Sequence, residues 1–267
     1  MGKYYTVQVN PDMNFSPAAA YGSADVLFNW VPFEIPTGTA MLRSMQMMVA
    51  GTDGAAGNAK QMALYFAKSI NGEAPLVFGA PNSAQTAALS QIDKAHIIAH
   101  VQVIDAAAND GGGLIGFNMW DGLTGSLNVA NIGGASVIIE GDVSYPSTTG
   151  YQTIWMAAVS LEASFDFGTD IQLNQGSNQA ADMTGDDVTL TIEQGSGGAG
   201  VANNSFAVGD ILVGSTHNGT AGPTMEVTDM VSGTPTQIKV KNISAIIDDD
   251  EELVLLNPLR FTLGFEI

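Results

Sequence analysis

Residues 259–267 alternate strictly: Leu259, Phe261, Leu263, Phe265 and Ile267 are apolar, and Arg260, Thr262 and Glu266 lie between them. A period of two belongs to a strand with one buried and one wet face, and a helix cannot use it. The same period runs through Trp155, Ala157, Val159, Leu161, Ala163, Phe165 and Phe167, with Ser160, Glu162, Ser164 and Asp166 opposite. That pattern predicts a long strand ending at Phe167, wet on the face of Ser160. Shorter alternations occur at Tyr5, Val7 and Val9, at Met62, Leu64 and Phe66, and at Ile97, Ala99, Val101 and Val103. Between them lie Asn71-Gly72, Asn109-Asp110-Gly111 and Gly133-Gly134, residues that accept positive φ in tight turns. Only Ser83 to Asp93 has a helical pattern. Many short strands with 31 Gly and 10 Pro in their connections predict an all-β chain, sandwich or barrel, and 267 residues suffice for a real core.

The composition shifts after Phe167. Gly168 to Gly200 is rich in Asn, Gln, Gly, Ser and Asp, and compact strand candidates follow at Val188–Ile192, Ile211–Val213, Met225–Val231, Ile238–Ile243 and Leu253–Leu256. Five short strands of this kind suit a small barrel. The strand ending at Phe167 and the one starting near Leu259 share face pattern and length, so they read as the exit from a larger domain and the return to it. The expected fold is therefore an antiparallel, jelly-roll-like β-sandwich (1–167 plus 257–267) with a small β-barrel domain (168–256) inserted before the C-terminal strand. Two domains in series are the competing arrangement.

Charge limits the partners. The chain has 8 Lys plus Arg against 27 Asp plus Glu, a net charge of −19, and charged residues make up only 13% of it. A surface of this sign repels phosphate and anionic lipid, which argues against nucleic acid and membranes as partners. No apolar run reaches the ~20 residues of a spanning helix, and the N-terminus lacks the apolar stretch of a signal peptide, so a soluble, non-exported chain is expected. The distribution is uneven: residues 1–94 have a net charge of −1, whereas Ala95 to Ile238 contain 15 carboxylates and no Lys or Arg. The near-neutral first third is expected to face another protein, and the acidic part solvent.

Zero cysteines remove disulfides, thiolate nucleophiles and Cys-based zinc sites. Gly195 to Gly200 spells GxGxxG, but Asn203, Asn204 and Gly209 follow where a dinucleotide site needs a helix, so a hairpin loop is the better reading. His96 and His100 have the spacing of a helical HExxH site, yet Ile97 stands where the base Glu belongs. On a strand the two histidines lie ~13 Å apart and cannot share a metal; His217 is isolated in sequence. The acidic run Asp248 to Glu252 lacks the central Gly and terminal Glu of an EF-hand loop and reads as a solvated turn. Met1 to Thr6 fits the short myristoylation pattern but leads straight into a strand. No GxSxG elbow or phosphate-loop motif appears, and no pair among the acids stands out for glycoside hydrolysis. Trp30, Trp120 and Trp155 suit core anchors and sugar platforms alike. No catalytic, cofactor-binding or metal-ligating residue emerges.

The segment Val31 to Ala40 running into Met41 to Met45, then Leu64 to Ser69 and Asn71-Gly72, resembles virion structural proteins of tailed bacteriophages. It is similar in particular to capsid decoration, or cement, proteins of marine and cyanobacterial phages. Phe206 to Leu212, Glu226 to Asp229 and Thr236 to Val240 resemble small β-barrel modules of phage head and tail proteins. The resemblance implies a non-enzymatic protein on the capsid exterior, made in the host cytoplasm, without cofactors. Its implied partners are the major capsid protein and copies of itself, as a homotrimer. Met41, Met45, Met47 and Met48 would then serve packing or docking. A tail, collar or fibre-base component, a carbohydrate-binding β-sandwich module and an acidic β-fold hydrolase are the alternatives.

Overall fold

The computed structural model describes residues 2–13, 21–49, 61–80, 82–83, 95–103, 114–118, 127–128, 137–163, 165, 171–173, 188–194, 206–214, 223–231, 237–241, 243 and 252–267. These residues form three antiparallel sheets. The first contains β1 (Tyr4–Val9), β3 (Ala40–Val49), β6 (Leu114–Asn118), β8 (Val137–Ile139) and β16 (Leu259–Glu266). Its order is β1-β16-β3-β6, with β8 also paired to β3. The second runs β2-β9-β4-β5-β7, from β2 (Val26–Pro36), β4 (Met62–Lys68), β5 (Ile97–Val103), β7 (Leu127–Asn128) and β9 (Tyr151–Ser160).

The two sheets face each other across one apolar cluster. Leu42, Met45, Met47, Leu259, Phe261, Leu263 and Phe265 enter it from the first sheet, and Phe28, Phe33, Ile35, Leu64, Phe66, Ile154 and Met156 from the second. Phe28 meets Phe261 with ring centroids 5.9 Å apart, and Phe33 meets Phe265 at 6.1 Å, so the alternation of β16 becomes contact across the layers. Arg260 is exposed and Thr262 and Glu266 are half-buried on the other face, as the pattern of two predicts. Asn71 and Gly72 take φ of 52° and 78° at the turn expected there. Met45 and Met47 are core residues.

The strand expected to reach Phe167 is shorter and differently buried. β9 stops at Ser160, whose amide donates to Asp25 O and whose carbonyl accepts from Ala24 N. The Ser160 hydroxyl donates to Glu162 O and accepts from Glu162 N, which turns the chain. Ser160 is fully buried instead of wet. β9 is a middle strand covered on both sides: Ile154, Met156 and Ala158 face the main core, and Ala157 and Val159 pack in a second cluster with Val26, Ala63 and Phe78. Ala157 and Val159 are buried as expected, but in the smaller cluster; Trp155 and Leu161 are half-buried and Ala163 is exposed. Phe165 lies beyond the strand, bridging backbone to backbone with Tyr21.

The third sheet lies in sequence between β9 and β16. It contains β10 (Ile171–Leu173), β11 (Val188–Gln194), β12 (Ile211–Gly214), β13 (Thr224–Met230), β14 (Gln237–Lys241) and β15 (Glu252–Leu255). Five match the compact candidates to within two residues. The sixth, β10, is too short to show alternation and is defined by its pairing with β11 and β15. That pairing returns the order β10-β11-β14-β13-β12-β15 to its start, around Leu190, Leu212, Met225, Val227, Ile238, Val240, Leu253 and Leu255. The chain leaves from β9 in the second sheet and returns to β16 in the first, so exit and return are not paired with each other. The return is fastened by Asn257, whose amide donates to Pro11 O and Asp12 Oδ1, and by Met13 N donating to Leu256 O. Ser83 is described but the rest of the helical candidate to Asp93 lies outside the described residues, as do Asn109-Asp110-Gly111 and Gly133-Gly134.

Candidate interaction surface

The outer face of the first sheet is assembled from both ends of the chain. Tyr4, Thr6 and Gln8 of β1 stand in register with Glu266, Gly264 and Thr262 of β16. Gly264 and Thr262 stand in register with Ser44 and Gln46 of β3. Two rows therefore cross three strands: Gln8, Thr262, Gln46 and Thr6, Gly264, Ser44. Gln8, Thr6, Ser44 and Gln46 are exposed, Thr262 is half-buried, and Tyr4 is 76% exposed. On β8, Ile138 stands in register with Met41 and is 62% exposed. A Cβ at position 264 would collide with Ser44 Oγ, so glycine lets the two strands keep this hydroxyl between them.

The five strands of this sheet contain only three charged residues, Arg43, Arg260 and Glu266. Arg43 holds Glu266 through Nε at 2.6 Å and a second guanidinium nitrogen at 2.5 Å. A two-pronged contact fixes geometry more than a single ammonium would. The described strands hold five basic and six acidic residues, so most of the 27 carboxylates in the sequence lie outside them.

The outer face of the second sheet is different. Phe78, fully buried, lies edge-on to Trp30 at 5.0 Å and tilted against Tyr65 at 5.1 Å. Asn29 pins the covering segment: its Oδ1 accepts from Phe78 N and Gly79 N, and its Nδ2 donates to Gly79 O. Tyr145 lies edge-on to Trp155 at 5.6 Å, and Trp155 Nε1 reaches Ser69 Oγ at 3.4 Å. Both described tryptophans are therefore half-buried anchors under the chain's own loops. Leu76 and Val77, 61% and 73% exposed, ride on the outside of the covering segment.

The described carboxylates fasten loops. Asp142 accepts from Gly72 N, Ser144 N and Ser144 Oγ, joining the turn after β4 to the one after β8. These donors, Ser144 first, hold its carboxyl below the ordinary range. Glu34 accepts from Thr148 N, and that bond lowers its pKa likewise. Glu162 accepts from Gln61 N. The two histidines have separate roles. His96 is buried, and its Nδ1 lies 2.7 Å from Lys68 O, a carbonyl that can only accept. His100 packs its ring 4.7 Å from Tyr65, and desolvation lowers its pKa. Among the described residues no group of three His, Asp or Glu could hold a metal ion. His217, Trp120, the 195–200 glycine run and Asp248 to Glu251 lie outside the described residues, and Glu252 is on β15.

The polar rows of the first sheet were not singled out by sequence reasoning. Each strand shows its alternation, but only the order β1-β16-β3 places the three polar sets on one face.

No protein-family model matches the chain, and no curated protein matches it. Among solved structures it is similar to the crystal structure of the infectious bursal disease virus VP2 subviral particle, with a TM-score of 0.28 and 9% sequence identity. The match covers 100% of this chain and 41% of that one, so this chain spans about two-fifths of the VP2 chain's length.

Proposed function

We propose that this chain is a non-enzymatic virion structural protein that decorates and stabilises the exterior of a tailed-phage capsid. Its partners are the major capsid protein and further copies of itself in a homotrimer. In this reading residues 1–167 and 257–267 make a jelly-roll-like sandwich and 168–256 an inserted small barrel. The observation that carries the proposal is a broad, exposed sheet face with almost no charge on a chain of net charge −19. A protein that must coat a shell at many equivalent places needs one adhesive face and an outside that resists stray association, and a net charge of −19 supplies the second property. The resemblance in Val31 to Met45 and Phe206 to Leu212 supports the phage assignment.

The test is a copy count with a binding assay. Gel densitometry of purified virions is expected to give hundreds of copies per particle, and the purified chain is expected to bind expanded heads and not unexpanded ones. A handful of copies per particle would place it in the tail or collar instead, and absence from the particle would refute both.

A further inference from the structure

We infer that the outer face of the first sheet, and not that of the second, is the surface that meets the shell; this rests on the capsid-decoration reading above. The two outer faces are the broad candidates among the described residues, and the second is already occupied by Phe78, Tyr145 and the segment that Asn29 pins. The first presents Tyr4, Thr6, Gln8, Ser44, Gln46 and Thr262, exposed or half-buried.

Charge selects the occupant. Arg43, Arg260 and Glu266 give the strands of this sheet a net charge of +1 on a chain whose net charge is −19. An acidic partner is repelled by the chain's net charge of −19, and this face, at +1, is a place where it does not meet like charge. A strongly basic partner would be drawn to the carboxylates and not to this face. The complementary surface is a flat, neutral to weakly acidic patch of the capsid subunit, rich in uncharged hydrogen-bonding groups, with an apolar spot for Tyr4 and Ile138. Tyrosine suits such a place because its ring packs while its hydroxyl stays paired.

The size of the face predicts how it binds. Four strands at about 4.8 Å and seven residues at about 3.4 Å give on the order of 450 Å². A standard interface buries roughly 800 Å² per partner. One copy therefore binds weakly, and linking copies in a trimer multiplies the affinity without a new contact.

The experiment is co-sedimentation of the purified chain with expanded heads of the encoding phage that lack it. The double variant Gln46→Glu/Thr262→Glu places two carboxylates at registered positions in the centre of the face; Thr149→Glu adds one on an exposed loop beyond the second sheet. Circular-dichroism melting verifies folding of each, and Gln8→Glu, on the exposed edge strand, replaces the double variant if that unfolds. The expected result is at least a tenfold loss of bound chain for the face variant and unchanged binding for Thr149→Glu. Wild-type binding with equal binding of the face variant would overturn this inference and leave the decoration reading standing. Failure of the wild-type chain to sediment with heads would overturn both.

Discussion

The two sheets share a core and differ in what covers their backs. Behind the second sheet, Phe78, Trp30 and Tyr65 form an apolar layer closed by the chain's own segment. Behind the first, threonine, glutamine and serine stand in rows, with Tyr4 at the edge and Met41, Ile138, Met48 and Leu114 at registered positions toward the ends. An apolar outer layer must be covered to be soluble, and the molecule spends a loop on it. A layer of uncharged polar groups can stay open, and that openness makes it available to a partner.

Substitutions on β16 sharpen this contrast most. Phe261→Ala, on the inner face, is expected to cost about 3–5 kcal/mol, whereas Thr262→Ala, its outer neighbour, stays within about 0.5 kcal/mol. Urea denaturation measures both, and equal losses would break the distinction between faces. Phe78→Ala is expected to cost about 3 kcal/mol, because the residue is fully buried although it lies in a loop. Its second signature is a red shift of tryptophan fluorescence as Trp30 loses its cover.

Gly264→Ala should destabilise by less than about 1 kcal/mol, because the Ser44 hydroxyl it meets is exposed and can turn to another rotamer. Adding Ser44→Ala removes the obstructing atom and should restore most of the loss, and a melt of the double variant decides it.

The smallest effects are electrostatic. Asp142 and Glu34 have folded pKa values below their ordinary 3.8 and 4.5. The unfolded chain therefore binds protons first as pH falls, so their contribution is complete above those values and is lost as pH drops through the folded ones. His100 is also lowered, from 6.5, because burial disfavours the imidazolium. Its contribution is present above pH 6.5 and declines below it, and His100→Gln should flatten that part of a stability-against-pH curve. The carboxylate part should flatten in Asp142→Asn and Glu34→Gln.

Strands with one wet face were legible. The pattern of 259–267 names the inward residues of β16 without error, and five strands of the third sheet appear within two residues of where their apolar runs lie. The alternation of Trp155, Ala157 and Val159 misassigns β9 because both faces are buried. Small residues such as Ala157 and Ala158 then carry no information about which face meets the larger core. The candidate surface was illegible for another reason. Thr6, Ser44 and Thr262 are unremarkable in their own segments, and they become one surface only when the last strand inserts between the first and third.

Hydroxyl-radical footprinting of the chain, free and bound to heads, tests the contrast most directly, since exposed side chains mark both backs. On binding, Tyr4 and Ile138 should lose reactivity while Leu76, Val77 and Val143 keep theirs. Protection of Leu76 and Val77 with Tyr4 and Ile138 unchanged would place the contact on the second sheet and contradict the account.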